Sequence, residues 1–142
     1  MPRKERTMST KGKILLVDDD PDFLEMHKAV LGNHGYDVLT ATSGREGLER
    51  VRAEMPDLVI LDLIMEKHDA GFSFSKTMKT DPLFKKIPIL MVTSVAAATG
   101  HRFSLEDDGY WMKTDDFLEK PVMPDVLLER VDQLLKKSKE RR

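Results

Sequence analysis

The sequence predicts an α/β protein, a doubly wound parallel sheet with helices on both faces. Short apolar segments alternate with longer amphipathic ones along the 142 residues, an alternation typical of βαβ units. Residues 57–62 (DLVILD) are apolar almost throughout, as expected for a strand that is covered on both faces. The length suits one ordinary domain. We therefore expect a single domain with this segment near the centre of its sheet.

The first half of the chain predicts two strand and helix units. Residues 13–18 (KILLVD) and 36–41 (YDVLTA) are the strands, and each is followed by a segment with helical spacing. The apolar positions of the two helices are Phe23, His27, Val30 and Leu31 in the first, and Leu48, Val51 and Met55 in the second. The segment SGREG opens the second helix and is not a phosphate-binding loop, because the Gly-Lys-Ser/Thr ending is absent.

The second half continues the alternation less regularly. Residues 72–80 predict a helix, 88–93 a fourth strand, 94–114 one helix with an extended loop, and 116–120 a fifth strand. A last amphipathic helix repeats Leu127, Val131, Leu134 and Leu135. We expect residues 1–11 to be a disordered tail, 12–137 the folded domain and 138–142 a short basic tail.

Composition excludes several classes of function. The net charge of −2 does not favour direct binding to nucleic acid, which depends on neutralising phosphates. There are no cysteines, and hence no disulfides or thiolate metal sites. No segment approaches the roughly 20 apolar residues of a membrane span, and the N-terminus lacks a secretion signal. We expect a cytoplasmic protein without membrane insertion.

Polar side chains follow several of the predicted strands. Asp18, Asp19 and Asp20 end the first, Asp62 the third, Thr93 and Ser94 the fourth, and Lys120 the fifth. Ligands of open parallel sheets bind at the carboxyl ends of the strands. Asp20 also suits the N-cap of the helix that begins near Pro21. An acidic cluster at this edge favours a hard divalent cation, and Mg²⁺ is the natural candidate.

Four segments in this order, ILLVDDDPDFLE, PDLVILDLIM, IPILMVTS and DDFLEKP, resemble the receiver domain of two-component response regulators. The resemblance covers residues 14–121. It implies a flavodoxin-like sheet of five strands in the order 2-1-3-4-5. It also implies that Asp62 accepts a phosphoryl group from a sensor histidine kinase or a phosphotransfer protein. Asp18, Asp19, Asp62 and the backbone carbonyl of Ile64 would hold Mg²⁺.

The resemblance also assigns the groups around the phosphoryl group. Lys120 would pair with the phosphoryl group and Thr93 would hydrogen-bond to it. Phe117 would turn inward as Thr93 moves, and the surface of the predicted fourth helix, fifth strand and fifth helix would change for a protein partner. Such a protein is no enzyme in the ordinary sense, although it catalyses its own phosphorylation and dephosphorylation.

The sequence departs from the family pattern in two places. Glu66 stands where the family often has proline, beside the expected metal site. Residues 94–115 lengthen the connection between the fourth and fifth strands, and Tyr110, Trp111 and Met112 there are a candidate partner surface. The alternative, which we favour, is that these three side chains close over the extended helix.

Three functions remain open at this stage. The first is a stand-alone receiver that signals through an unknown downstream protein, with homodimerisation possible, because no residues remain for an output domain. The second is an interaction module that has lost the phosphorylation switch, against which the complete set of site residues argues. The third is an aspartate-nucleophile phosphohydrolase, which would need an acid at position 64, where this chain has Ile64.

Overall fold

A computed structural model describes residues 11–62, 70–94, 116–120 and 122–140. For some of these residues, among them Thr93, Phe117 and Lys120, it describes the backbone alone. The described elements are β1 (Lys13–Val17), α1 (Pro21–Asn33), β2 (Asp37–Ala41), α2 (Gly44–Glu54), β3 (Leu58–Asp62), α3 (Ala70–Thr80), β4 (Ile89–Ser94), β5 (Asp116–Lys120) and α4 (Pro124–Glu140).

The five strands form one parallel sheet in the order β2-β1-β3-β4-β5. This confirms the predicted strand order and the central position of β3. All five residues of β3 are buried, which explains why its sequence lacks the polar and apolar alternation of a half-exposed strand. Because all strands are parallel, their carboxyl ends lie at one edge of the sheet and their amino ends at the other. We call these the carboxyl edge and the amino edge.

Apolar residues on the two faces of the sheet build two separate cores. Leu15 and Val17 of β1 pack on the face covered by α2 and α3, whereas Ile14 and Leu16 pack on the face covered by α1 and α4. The buried apolar side chains of the helices are Val51, Phe74 and Met78 on the first face, and Leu24, Leu31, Leu127, Val131, Leu134 and Leu135 on the second. Each such side chain contributes about 1.5–3 kcal/mol when fully buried. The prediction of helices on both faces is confirmed.

Polar side chains begin the first two helices as their sequences indicate. The Asp20 carboxylate accepts the backbone N–H of Asp22 at 3.0 Å. The Ser43 hydroxyl accepts the backbone N–H of Glu46 at 3.1 Å, directly before α2. Both are N-caps, which satisfy amide groups that have no partner within the helix. Asp20 is confirmed as a cap, and SGREG is confirmed as a helix start.

The buried face of α2 differs from the prediction at its end. Met55 was predicted to lie on the apolar stripe, but it is the C-cap residue in a left-handed conformation (φ 47°), and it is 48% exposed. Pro56 follows, and a residue before proline is disfavoured in a helical conformation. The buried face uses Gly47 instead, where an added Cβ would lie 2.7 Å from Phe74 Cε2.

The ends of the folded region extend slightly beyond the predicted boundaries. Lys11, which was predicted to belong to the tail, donates its backbone N–H to Gly35 O at 2.9 Å. Helix α4 continues to Glu140, and Ser138 is buried within it. Residues 1–10 and 141–142 lie outside the described residues, so the predicted disorder and the domain boundaries stay predictions. Within the described ranges, no helix is long and apolar enough to span a membrane.

Candidate functional site

Three of the predicted site residues come together at the carboxyl edge of the sheet. Asp18 directly follows β1 and Asp62 is the last residue of β3. The register pairs Val17 with Leu61, which places these two aspartates side by side. Carboxylate oxygens of Asp18, Asp19 and Asp62 all lie within 4.8 Å of one another. Neighbouring parallel strands thus create the acidic cluster that the strand ends predicted.

The acidic cluster is only partly in contact with solvent. Asp18 is 1% exposed and Asp62 is 8% exposed, whereas Asp19 is exposed. Asp18 Oδ1 accepts the backbone N–H of Asp20 at 2.9 Å. The N-cap of α1 and the buried carboxylate therefore belong to one tight turn, a connection that sequence reasoning missed. The available signal was the run of three acidic residues directly before Pro21.

The cluster has an electrostatic cost that a divalent cation would offset. At an effective dielectric constant of about 20, two full charges 4.8 Å apart repel by about 3.5 kcal/mol. Three hard oxygen donors with two of the residues buried fit Mg²⁺, which binds through a small number of carboxylates and retains waters. The chemistry of this donor set therefore agrees with the cation predicted from the sequence.

The backbone positions of Thr93 and Lys120 also lie at the carboxyl edge. Asp62 is the register partner of Val92, so Thr93 lies one residue further along the neighbouring strand. Lys120 ends β5, two strands away from β3, and is the partner of Ser94. Phe117 pairs with Met91 within the same strands. The strands thus place these residues as the sequence predicted, and the roles of their side chains stay predictions.

The remaining predicted residues lie outside the described residues. They are the metal ligand Ile64, the candidate partner surface Tyr110, Trp111 and Met112, and Glu66 beside the metal site. The helix and loop predicted for residues 94–114 lie outside them too, apart from Ser94 itself.

Asp57, the other aspartate of the DLVILD segment, has a structural role that was not predicted from the sequence. Asp57 Oδ2 accepts the backbone N–H of Lys13 at 2.8 Å, and the Asp57 N–H donates to Lys13 O at 2.7 Å. Asp57 therefore fixes the start of β1 beside the start of β3, at the amino edge. Its position directly before a fully buried strand was the available signal.

A doubly wound sheet of five parallel strands with clustered carboxylates at its carboxyl edge is the arrangement expected of a receiver domain. The family model of the response regulator receiver domain matches residues 14–132. The chain belongs to this family. Its members accept phosphoryl groups on aspartate, bind Mg²⁺ in an acidic pocket, and interact with histidine kinases or phosphotransfer proteins and with downstream targets. They are generally not classical enzymes, although they have autophosphatase activity.

Individual relatives differ in length. The chain is 32% identical to protein PilH of Pseudomonas aeruginosa, over 87% of this chain and 97% of PilH. It is similar to the crystal structure of a putative response regulator from Chloroflexus aurantiacus, with a TM-score of 0.77, 33% identity, and coverage of 88% of this chain and 98% of that one. It is also 34% identical to the alkaline phosphatase synthesis transcriptional regulatory protein PhoP of Bacillus subtilis, over 89% of this chain.

The chain spans 49% of the length of PhoP and 48% of a probable transcriptional regulator, ycf27, of Guillardia theta. The receiver is therefore what these longer proteins share with this chain.

Proposed function

We propose that Asp62 is the phosphoacceptor of this receiver and takes its phosphoryl group from a sensor histidine kinase or a phosphotransfer protein. The observation that carries this proposal is the position of Asp62, which ends the buried central strand within 4.8 Å of two further carboxylates. An apolar residue would satisfy the fold at this position without electrostatic cost. The electrostatic cost of the acidic cluster is explained if the cluster binds a cation beside a phosphoryl group on Asp62.

In the proposed transfer, an Asp62 carboxylate oxygen attacks the phosphorus of the phosphohistidine. A P–O bond to Asp62 forms and the P–N bond breaks, and the electron pair of that bond goes to the imidazole nitrogen of the donor. The product is an acyl phosphate on Asp62. Water later attacks the same phosphorus, which releases inorganic phosphate and restores the carboxylate. Asp62 is thus the nucleophile of the phosphorylation, and water is the nucleophile of the hydrolysis.

Asp18, Asp19 and Asp62, with the backbone carbonyl of Ile64, would hold Mg²⁺ at this edge. When bound, Mg²⁺ supplies positive charge that neutralises the carboxylates and the phosphoryl oxygens. The hydrogen bond from the Asp20 N–H fixes one oxygen of Asp18 and thereby orients this carboxylate toward its neighbours. A preorganised acidic turn of this kind lowers the reorganisation needed during phosphoryl transfer.

Thr93 and Lys120 would bind the phosphoryl oxygens, and Phe117 would follow Thr93 in the switch. Their support is the strand register, which puts both residues at the carboxyl edge on β4 and β5. A phosphoryl group adds about −1.5 to −2 charges, and the hydroxyl of Thr93 and the ammonium group of Lys120 can both bind its oxygens. We propose that the resulting shift alters the surface next to β5 and α4, where an unknown downstream protein binds.

We further propose that the receiver signals by binding a downstream protein. In PilH, the matched region makes up 97% of the protein. The absence of direct nucleic acid binding and the possibility of a homodimer stay predictions.

Mass spectrometry of the intact protein after incubation with acetyl phosphate tests the proposed function. We expect one phosphoryl adduct on the wild type in the presence of Mg²⁺, and none after chelation of the metal. Asp62→Asn should give no adduct, and Asp19→Asn should require more Mg²⁺. Asp22→Asn is the matched control, because Asp22 is an exposed acid of the same α1 region outside the three-carboxylate group.

An adduct on Asp62→Asn would place the phosphoacceptor elsewhere in the chain. No adduct on the wild type, under conditions that label a known receiver, would favour the interaction module that has lost the switch.

A further inference from the structure

The two edges of the sheet differ in charge. The carboxyl edge holds the acidic cluster, together with Asp20 and Asp22 at the start of α1. Helices of parallel βαβ units run opposite to the strands, so α1, α2, α3 and α4 all end at the amino edge. Leu135 near the end of α4 confirms this, because an added Cβ at Gly12 would lie 3.6 Å from Leu135 Cδ1. The ends of all four described helices therefore lie at the amino edge.

The turn between α3 and β4, residues 81–87, presents an exposed leucine and two lysines at the amino edge. Phe84 and Ile87 are buried in the core, whereas Leu83 is 72% exposed. Lys85 and Lys86 are exposed and form no ion pair within the part of the chain that the structure describes. An apolar side chain and two unpaired cations therefore share one short turn.

Hydrogen bonds hold this turn in one conformation. Asp81 Oδ1 accepts the N–H of Leu83 at 2.8 Å, and Asp81 O accepts the N–H of Lys85 at 2.9 Å. Lys79 Nζ donates to Lys85 O at 3.1 Å and to Ile87 O at 2.8 Å. The exposure of Leu83 is therefore built into an ordered turn, and binding through it would require little ordering of the backbone.

Other elements add cations and apolar surface to the same edge. Lys136 and Lys137 are exposed near the end of α4, and Lys11 is exposed before β1. Met55, at the end of α2, is 48% exposed.

Most acidic groups of this edge are engaged within the protein. Glu54 pairs with Lys13, and Asp57 and Asp81 accept backbone N–H groups. Asp132 accepts the Tyr36 hydroxyl but is itself exposed, as is Asp37, and Asp116 begins β5 at the same edge. Among the side chains that the structure describes at this edge, the exposed lysines therefore outnumber the exposed acids.

We infer that the amino edge is a docking surface for an anionic membrane, with Leu83 and Met55 entering the lipid interface. The lysines come from separate elements, before β1, after α3 and at the end of α4. A broad anionic surface can meet all of them at once, whereas a bound peptide would reach only a narrow strip. Basic residues beside exposed apolar ones are the combination that binds such interfaces. In this orientation the carboxyl edge faces away from the membrane and stays open to a phosphoryl donor.

Sedimentation with sucrose-loaded vesicles tests this inference on the full chain, without any phosphorylation. We expect binding to phosphatidylcholine vesicles containing roughly a third phosphatidylglycerol, and loss of binding when salt rises from about 0.1 to about 1 M, which shortens the Debye length from about 10 to about 3 Å. The double variant Lys85→Glu/Lys86→Glu should bind at least about tenfold more weakly, since each basic residue contributes about 1 kcal/mol near an anionic surface. Leu83→Ala should weaken binding severalfold without a change in charge.

The matched control is Lys28→Glu/Arg45→Glu, which changes the net charge by the same amount at exposed positions away from the amino edge. Binding that falls equally in both double variants would overturn the inference, because net charge alone would then explain it. Absence of binding to anionic vesicles, equal binding to pure phosphatidylcholine, or equally tight binding to soluble polyglutamate would overturn it too. The last result would assign the surface to an acidic protein.

Discussion

Replacing Asp19 by asparagine should stabilise the protein when no metal is present. Its carboxylate lies within 4.8 Å of those of Asp18 and Asp62. Each of these pairs repels by about 3.5 kcal/mol at an effective dielectric constant near 20, and by about 0.9 kcal/mol in bulk water. Because Asp19 is exposed, solvent screening brings the interaction toward the lower value. We expect Asp19→Asn to raise the free energy of unfolding by about 1–2 kcal/mol.

Urea denaturation followed by circular dichroism, in the presence of a chelator, measures this effect. With a denaturant slope of about 1–3 kcal/mol per molar, the midpoint should rise by roughly half to one molar. Addition of Mg²⁺ should then reverse the order of stability. The wild type gains about 2.7 kcal/mol at a metal concentration one hundred times the dissociation constant. Asp19→Asn, with one donor fewer, should gain much less.

The matched control is Asp22→Asn. Asp22 is also exposed, but it lies in the first turn of α1, where a negative charge favours the helix. Its replacement should cost about 0.3–1 kcal/mol, the opposite sign from Asp19→Asn. If Asp19→Asn is no more stable than the wild type without metal, repulsion within the cluster is not the cost that we infer. The electrostatic argument for a cation would then fail with it.

Three further substitutions test other parts of the fold. Gly47→Ala should destabilise the protein by about 1–3 kcal/mol in urea denaturation, because its Cβ would lie 2.7 Å from Phe74 Cε2; an unchanged midpoint would show that the ring moves freely. Tyr36→Phe should cost about 1–2 kcal/mol, since it removes the hydroxyl that donates to Asp132 while the ring stays buried; no loss would show that this bond adds nothing net. Hydrogen bonds from the backbone and side chain of Thr42 hold the pKa of the Glu46 carboxyl below its ordinary value. The ionised carboxylate therefore stabilises the folded protein above the unfolded-state pKa, and this stabilisation is lost as the pH falls through the lower folded-state pKa. The difference in unfolding free energy between wild type and Glu46→Gln should shrink on acidification, and a constant difference would contradict this.

The positions of the strands and the carboxylate cluster could be predicted from sequence because both depend on short local patterns. The DLVILD segment is buried from Leu58 to Asp62, and β3 begins at Leu58, within one residue of the predicted start. The parallel topology brings the ends of β1 and β3 to one edge, so acids that are distant in sequence meet. Alternation of elements, without any information on contacts, was enough to place Asp18, Asp19 and Asp62 together.

Predictions that depended on side-chain packing were less accurate. Met55 fits the helical spacing of α2, yet the chain leaves the helix at this residue because proline follows, and the side chain is exposed. Gly47 has no apolar side chain to reveal it, although the close approach of Phe74 leaves space only for glycine. The hydrophobic pattern therefore predicted helix α2, but it did not predict that Gly47 allows the close packing of α2 against Phe74.

The two aspartates that bound the central strand segment lie at opposite edges of the sheet, and we assign a structural role to one and propose a functional role for the other. Asp57 accepts a backbone N–H at the amino edge, a contact that adds to the stability of the sheet. Asp62 lies at the carboxyl edge, almost completely buried, where it is close to the like charges of Asp18 and Asp19. A fold retains a costly residue of this kind where its chemistry is needed, because local rules are broken mainly at functional sites. The same repulsion is relieved when a cation binds among the carboxylates, so it favours the metal-bound state of the protein.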